Sequence, residues 1–408
     1  MSRGPQGWET WLENQGREGN GTAGPGVHWR NLLQKSPSTG TAITNLWNTL
    51  LALRNDPRWA GKFRWDEMLQ TQIGPQGPIE DSHIIPIHEW LQENGLTRIG
   101  LDVVREAIEG VCREHPFHPL KDELKQCHAA WDGVARLPTW TQTYLGCAPG
   151  DPNTSIGVMF LVAMIKRIFE PGCQSDYMLV LEGPQGKQKS KACAILAGDY
   201  FSDDLPDLAS DYIRVQMHLR GKWLIEVAEL SSFSKPDAAK LKSFLTTKVE
   251  QYTPKFARNE VRQPRTCLFV GTTNEDTYLR DPSGGRRFWP LKCGEISLDK
   301  LERDRDLLLG EAVDEYRAGT LPYPEDKFED EHLKPLQESR YEGDAWEDII
   351  AEKLIGVKET STALIAHQYL GIPDERIGTI PARRIAAIMR RLNWRMDRSN
   401  QKRLWVPS

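Results

Sequence analysis

Residues 181–190 read LEGPQGKQKS, set between the apolar run YMLVLE at 177–182 and the helix-forming stretch KACAILAG at 191–198. A strand that enters a Gly-rich turn and leaves as a helix gathers backbone N–H groups and a helix N-terminus around an anion. Lys189 then has the place of the ammonium that meets β/γ-phosphate oxygens, and Ser190 that of a hydroxyl on Mg²⁺. The whole loop, Gly183, Pro184, Gln185, Gly186, Lys187, Gln188, Lys189 and Ser190, is the candidate cradle for ATP. One position departs from the pattern. Gln188 stands where a glycine usually precedes the lysine, and a side chain there works against close approach of the loop to phosphates.

Two further apolar runs follow, WLIEV at 223–227 and TCLFVG at 266–271, separated by helical or turn-rich segments. Strands alternating with helices predict an α/β fold with a parallel sheet covered on both faces. Acids at the end of such a strand can hold Mg²⁺ and polarise water, so Glu226 and Glu229 are the candidates. In extended chain they point to opposite faces unless the strand has ended by 229, and spacing does not decide which does which task. Thr272-Thr273-Asn274 closes the third run, placing the Asn274 amide to orient water or meet a γ-phosphate.

Beyond the third run, SGGRRFWPL at 283–291 exposes Arg286 and Arg287 in an expected loop. Paired arginines suit a charge clamp on a transferring phosphoryl group, including one held by a neighbouring subunit. YTPKFARNEVRQPR at 252–265 carries Lys255, Arg258, Arg262 and Arg265 against Glu260. The expectation is a short basic hairpin with Asn259 at its tip, tracking a phosphodiester backbone. Lys242, on a helix just before it, reads as part of a charged helix face.

The remaining sequence sets limits. The 408 residues are 39% hydrophobic and 27% charged with net charge −5, the profile of a globular chain with a sizeable core rather than a histone-like one. The longest apolar run, 158–165, is far short of a bilayer span of roughly 18 residues. The N-terminus lacks a signal-type apolar segment, and a reducing cytoplasm is the simplest compartment. Seven scattered cysteines without a CxxC pair argue against a disulfide framework or zinc site. His115 and His118 flank prolines and read as a turn rather than a metal pair.

Residues 1–40 are polar and Gly-rich. Helical spacing dominates from 41 to 140, GPQGPIED at 74–81 excepted, which reads as a loop. The expected modules are a mostly helical 1–110, a helical lead-in or collar at 111–150, the sheet-bearing domain at 151–325, and 326–408. In that last part charge splits: 325–360 holds twelve acids and five bases, while 380–408 holds eight bases and one acid. Its order of helix, helix and short strand suits a small basic winged-helix-like module, with Arg383, Arg384, Arg390 and Arg391 available to duplex DNA or a protein partner.

With these motifs in order, the chain resembles the virulence-associated protein E (VapE, VirE-like) family. These are P-loop proteins of phages and mobile elements, related to superfamily 3 helicases and to the helicase half of viral primase-helicases. The resemblance covers roughly 115–320. It runs through HPLKDELKQCHAAWDGVARLPTW, LEGPQGKQKS, YFSDDLPDL, LRGKWLIEVAEL, FVGTTN, YLRDPSGGRRFWPL and RDLLLGEAV. It implies a P-loop NTPase core of the AAA+-like, superfamily 3 type. Lys189 and Ser190 look like the phosphate lysine and the Mg²⁺-side hydroxyl, Glu226 and Glu229 cover the acidic motif, and Asn274 looks like the sensor. Arg286 or Arg287 looks like the arginine finger, and the hairpin around Arg258 the DNA-contacting hairpin. It further implies a hexameric ring that translocates on single-stranded DNA in element replication, alongside origin duplex and a primase on another chain. Two departures, Gln188 and the Glu-x-x-Glu spacing, keep a second reading open: a nucleotide-gated DNA-binding or interference protein with little ATP turnover.

Overall fold

Apolar runs four to six residues long can bury both faces only inside a sheet flanked by other elements, and the computed structural model places all three in one such sheet. It describes residues 28–208, 212–230, 234–253, 260–279, 285–341, 343–399 and 402–408. The chain divides into two units, Met1–Cys127 and His128–Ser408, with the division inside the 111–150 segment. Among the described residues no helix is long and apolar enough to cross a membrane.

The first unit packs α1 (Leu46–Asn55), α2 (Asp81–Glu93) and α3 (Leu101–Glu114) around Leu53, Phe63, Trp90, Leu91, Val104 and Ile108. It also holds four short strands, β1 (Arg64–Asp66), β2 (Thr71–Gly74), β3 (Gly77–Pro78) and β4 (Pro116–Phe117), in the order β3-β2-β1-β4. The stretch GPQGPIED is therefore not only loop: Ile73 pairs with Pro78 and Gly74 with Gly77 in a tight hairpin. Strands of two to four residues are too short for alternation to show in sequence. His118 accepts a hydrogen bond from the Lys121 backbone N–H at 3.2 Å. Burial holds its imidazole down at about 4, so it is a neutral cap on α4 (Pro119–Ala130).

In the second unit, α5 (Trp140–Leu145) and the buried helix α6 (Asn153–Phe169) precede the sheet. Its strands are β5 (Met178–Glu182), β6 (Phe201–Ser202), β7 (Leu224–Val227), β10 (Leu268–Thr273) and β11 (Phe288–Lys292), in the order β11-β5-β10-β7-β6. Every neighbouring pair is parallel. Between them lie α7 (Lys189–Ala197), α8 (Tyr212–His218), α9 (Lys235–Leu245) and an antiparallel pair, β8 (Val249–Tyr252) with β9 (Val261–Pro264). Pro290 sits in β11, an edge strand, where a missing N–H is tolerated.

Period-two alternation decides the faces of the sheet. Met178 and Val180 join Ile225, Val227, Leu241, Leu245, Phe269 and Phe288 in one core cluster. The opposite face is covered by α6, α7 and α10 (Leu298–Ala318), with α10 packed on both α6 and α7. Gly271 in β10 is required by close packing, since a Cβ there would meet the Leu230 side chain at 2.3 Å.

An antiparallel pair, β8–β9, stands where the basic hairpin is expected, and residues 254–259, including Lys255, Arg258 and Asn259, lie outside the described residues. Arg262 is exposed on β9. Arg265 is not part of a basic surface. It is 1% exposed, donates from Nε to Glu250 at 2.8 Å and from Nη1 to the Phe244 carbonyl at 2.6 Å, and lies over the Phe244 ring. Glu250 also accepts from Gln216 at 3.0 Å. Lys242, expected on a charged helix face, is likewise buried, 5.7 Å from the Phe288 ring centroid.

The remaining chain forms α11 (Lys334–Ser339), α12 (Ala345–Lys353), short helical turns at 362–369, α13 (Thr379–Arg391) and a hairpin of β12 (Trp394–Ser399) with β13 (Lys402–Pro407). The expectation of one terminal strand missed β12. Asn393, at φ 60°, ends the helix in the left-handed region and releases Trp394 into extended chain. Ile385, Ile388, Met389, Trp394 and Trp405 make a small core of their own.

Because Arg265 and Glu250 are both buried, deleting one strands the other's charge. Arg265→Ala is expected to cost about 3–5 kcal/mol in urea unfolding, and Arg262→Ala, exposed on β9 just before it, less than about 0.5 kcal/mol.

Candidate functional site

In a parallel sheet all carboxyl ends reach the same edge, and loops leaving that edge can converge. Register makes the convergence concrete: Thr272 lies beside Leu181, Thr273 beside Glu182, and Gly271 beside Val227. The turn after β5, the acid of β7 and the Thr-Thr-Asn end of β10 therefore meet.

The turn itself is built from left-handed backbone. Gly183 has φ 147°, Gly186 φ 82° and Gln188 φ 64°. A Cβ on Gly183 would come within 3.3 Å of the Cys293 carbonyl oxygen, so that position admits little else. Gln188 explains why a glycine is usual before the lysine: the residue must be left-handed, and glutamine adopts the conformation at a cost. Gln188 is exposed and lines the cleft over the loop.

Lys189 is the first residue of α7 and is 6% exposed. Its Nζ donates to the carbonyl oxygens of Gly183 at 2.5 Å and Pro184 at 3.0 Å, and to Asn274 Oδ1 at 3.2 Å. Burial lowers the ammonium's pKa from its ordinary value. Lys189 thus touches neutral acceptors where phosphate oxygens would serve a cation better. Beside it Ser190 Oγ donates to Glu226 Oε1 at 2.8 Å, and Thr272 Oγ1 donates to the same oxygen at 2.6 Å. The other oxygen, Glu226 Oε2, is buried with no hydrogen-bond partner. A 97% buried carboxylate with one orphaned oxygen next to a serine hydroxyl fits a hard divalent cation such as Mg²⁺.

A cleft of about 470 Å³ opens over residues 185–191, Thr272 and Asn274. Lys187, on its rim, pairs with Glu295. A second cleft is lined by Glu226 together with Asp203, Asp207 and Asp237. Among the described residues no group of three or more His, Cys, Asp or Glu forms a ready metal cluster.

Glu229 stands two residues beyond the last residue of β7, exposed and at φ 53°. The strand has ended before it, so alternation does not force it away from the side of Glu226. A left-handed glutamate is a strained conformation of the kind that clusters at functional sites.

Arg286 and Arg287 are not brought to this cleft. They form a short turn before Phe288, which pairs with Met178 at the start of β5, whereas the loop leaves β5 after Glu182. At about 3.3 Å per residue the two edges are roughly 13 Å apart. Arg287 donates to the Lys242 carbonyl at 3.1 Å. Arg286 is exposed in a different cleft, of about 670 Å³, with Lys334, Arg390 and Arg391.

Two arginines of the C-terminal region expected to be free for DNA are engaged. Arg384 donates to Asp344 Oδ2 at 2.8 Å and lies 3.8 Å from the Trp346 ring centroid. Arg391 pairs with Glu347 at 3.4 Å and lies over the Tyr341 ring. Arg383 and Arg390 are exposed.

The site also contains groups that the sequence reading missed. Glu182, the last residue of β5, is 2% exposed and is held by Arg340, Nε to Oε1 and Nη2 to Oε2, both at 2.9 Å. Tyr278 donates its hydroxyl to Glu182 Oε1 at 2.9 Å, and burial, with Glu182 next, raises that phenol's pKa well above its ordinary value. The one available signal was an acid closing an otherwise apolar strand.

Residues 124–342, more than half of the chain, match the profile of the virulence-associated protein E-like domain. No curated protein matches. Among solved structures, the apo structure of the NrS-1 C-terminal region is 12% identical, covering 85% of this chain and 95% of that one at a TM-score of 0.47. The A-form apo structure of the same region is 14% identical, covering 69% and 78% at a TM-score of 0.41.

Gln188→Gly removes the left-handed penalty, about 1–2 kcal/mol for a non-glycine residue, against a loss of roughly 0.5–1 kcal/mol in chain entropy. The variant is expected to be more stable than the parent by about 0.5 kcal/mol in chemical denaturation, the difference of those two terms.

Proposed function

This chain belongs to the virulence-associated protein E-like family, and on that premise we propose that it is a Mg²⁺-dependent ATPase that moves along DNA in the replication of a phage or mobile element. The observation that carries the reading is the meeting of Lys189, Ser190, Glu226 and Asn274 at one sheet edge, with hydrogen bonds among them. The strand order, with β5 between β11 and β10, supports a P-loop core of the AAA+-like type.

In this reading the loop residues 183–188 turn their backbone N–H groups to the phosphates and α7 adds its N-terminus. Lys189 exchanges carbonyl partners for β/γ-phosphate oxygens. Ser190 and the free Oε2 of Glu226 hold Mg²⁺, which when bound neutralises charge on the phosphates. Glu226 is committed to Ser190 and Thr272, which leaves Glu229 to polarise the attacking water. Asn274 orients that water or the γ-phosphate. Arg286 or Arg287, distant from the site of its own chain, serves the nucleotide of the next subunit in a ring, an arrangement that closes a head-to-tail assembly. The β8–β9 hairpin, with Arg262, Lys255 and Arg258, follows single-stranded DNA. The C-terminal helices and hairpin act as a winged-helix-like module whose Arg383 and Arg390 meet duplex DNA or a replication partner such as a separate primase.

The alternative, a nucleotide-gated binder with little turnover, rests on Gln188. Steady-state ATP hydrolysis with Mg²⁺, with and without single-stranded DNA, separates the two. DNA-stimulated turnover that Lys189→Ala lowers by about 10²–10³-fold is expected, the usual loss when one charge-stabilising donor is removed. Background rates under every condition, with DNA still bound, would leave only the binder.

A further inference from the structure

Glu182 poses an electrostatic problem. An anion-binding loop gains from positive potential, yet a buried carboxylate directly precedes its first glycine. Arg340 answers it from 158 residues away with a bidentate pair at 2.9 Å on both oxygens. Arg340 also holds the far side of the site, since its carbonyl accepts from the Tyr278 and Leu279 backbone N–H groups, both at 3.0 Å. Those two residues follow the strand that presents Asn274. Tyr341, next in the chain, pairs with Leu279 in an isolated bridge and carries the Arg391 guanidinium on its ring. Among the described residues the Tyr278 hydroxyl also donates to the Glu182 carboxylate.

We propose that Arg340 is a positioning residue for nucleotide binding: its clamp masks the Glu182 carboxylate beneath the Gly183 loop, so that the loop accepts a polyphosphate, and it does so from the segment that leads into the C-terminal module. The proposal rests on the nucleotide reading above. It assigns a functional effect to a pair that a purely structural view would treat as one more buried ion pair. The two views differ in what happens when both partners are neutral. If masking is the function, the loop needs no arginine once the carboxylate is gone.

The test is titration of the full-length chain with N-methylanthraniloyl-ATP and Mg²⁺, with thermal melting to confirm folding. Arg340→Gln leaves Glu182 charged and bare, and its Kd is expected to rise at least about tenfold, the effect of one adverse charge at protein-like dielectric. Adding Glu182→Gln to that variant is expected to restore Kd to within about twofold of wild type, because the masked charge no longer exists. Glu182→Gln alone is expected to bind as tightly as wild type or more so, and it keeps the proposal testable should Arg340→Gln fail to fold. Wild-type affinity in folded Arg340→Gln overturns the proposal. So does a double variant as weak as the single one, or a Glu182→Gln protein weakened tenfold. Wild-type protein that binds no nucleotide while melting cooperatively removes the nucleotide reading and this proposal with it.

Discussion

A single buried carboxylate joins the three segments on which the site depends. Glu226 accepts from Ser190 at the start of α7 and from Thr272 at the end of β10, while itself belonging to β7. These residues lie up to 82 positions apart in sequence (190 to 272), and parallel pairing alone brings only their backbones to one edge. The carboxylate fixes their side chains as well. A charge 97% buried is costly unless hydrogen bonds satisfy it, and here one oxygen is doubly satisfied and the other left open. The open oxygen leaves the junction with an acceptor still to be satisfied.

A buried carboxylate recurs, paired with an arginine, at three other points among the described residues. The β8–β9 ladder is anchored by Arg265 on Glu250, the chain beyond α11 by Arg340 on Glu182, and α13 by Arg384 on Asp344. In each pair the carboxylate is buried and the partner is arginine, which holds its charge when desolvated; Arg340 and Arg384 each meet both oxygens of their partner, while Arg265 gives two donors to one oxygen of Glu250. Apolar packing alone lets a short helix or hairpin slide. A bidentate pair fixes its direction. This is also why Arg265 is withdrawn from the surface and Arg384 and Arg391 are tied to carboxylates, and why charge counted along a segment overstates the charge a nucleic acid would meet.

Much of the sheet domain is readable in the chain. The runs at 177–182, 223–227 and 266–271 become β5, β7 and β10 with small shifts at their ends, because buried parallel strands need continuous apolar stretches bounded by turns. The loop at 183–190 is readable for the same local reason: its glycines and helix start are consecutive residues. The small strands at 64–78 and 116–117 were not readable, being too short to show a period. Nor was β12, which begins inside a basic run that continues the helical pattern.

What the sequence by itself determined is therefore local chemistry in sequence order: a strand, a glycine turn, Lys189 and Ser190, then an acid-bearing strand, then Asn274. The tertiary structure alone decided partnership. It placed Glu226 on Ser190 and Thr272, set Glu229 beyond the strand, put Arg286 and Arg287 at the opposite edge from the loop, and brought Arg340 onto Glu182. The physical reason is range. Backbone preference and hydrophobic period act over a few residues, whereas an ion pair depends on where distant segments are delivered, and that is set by strand order and register.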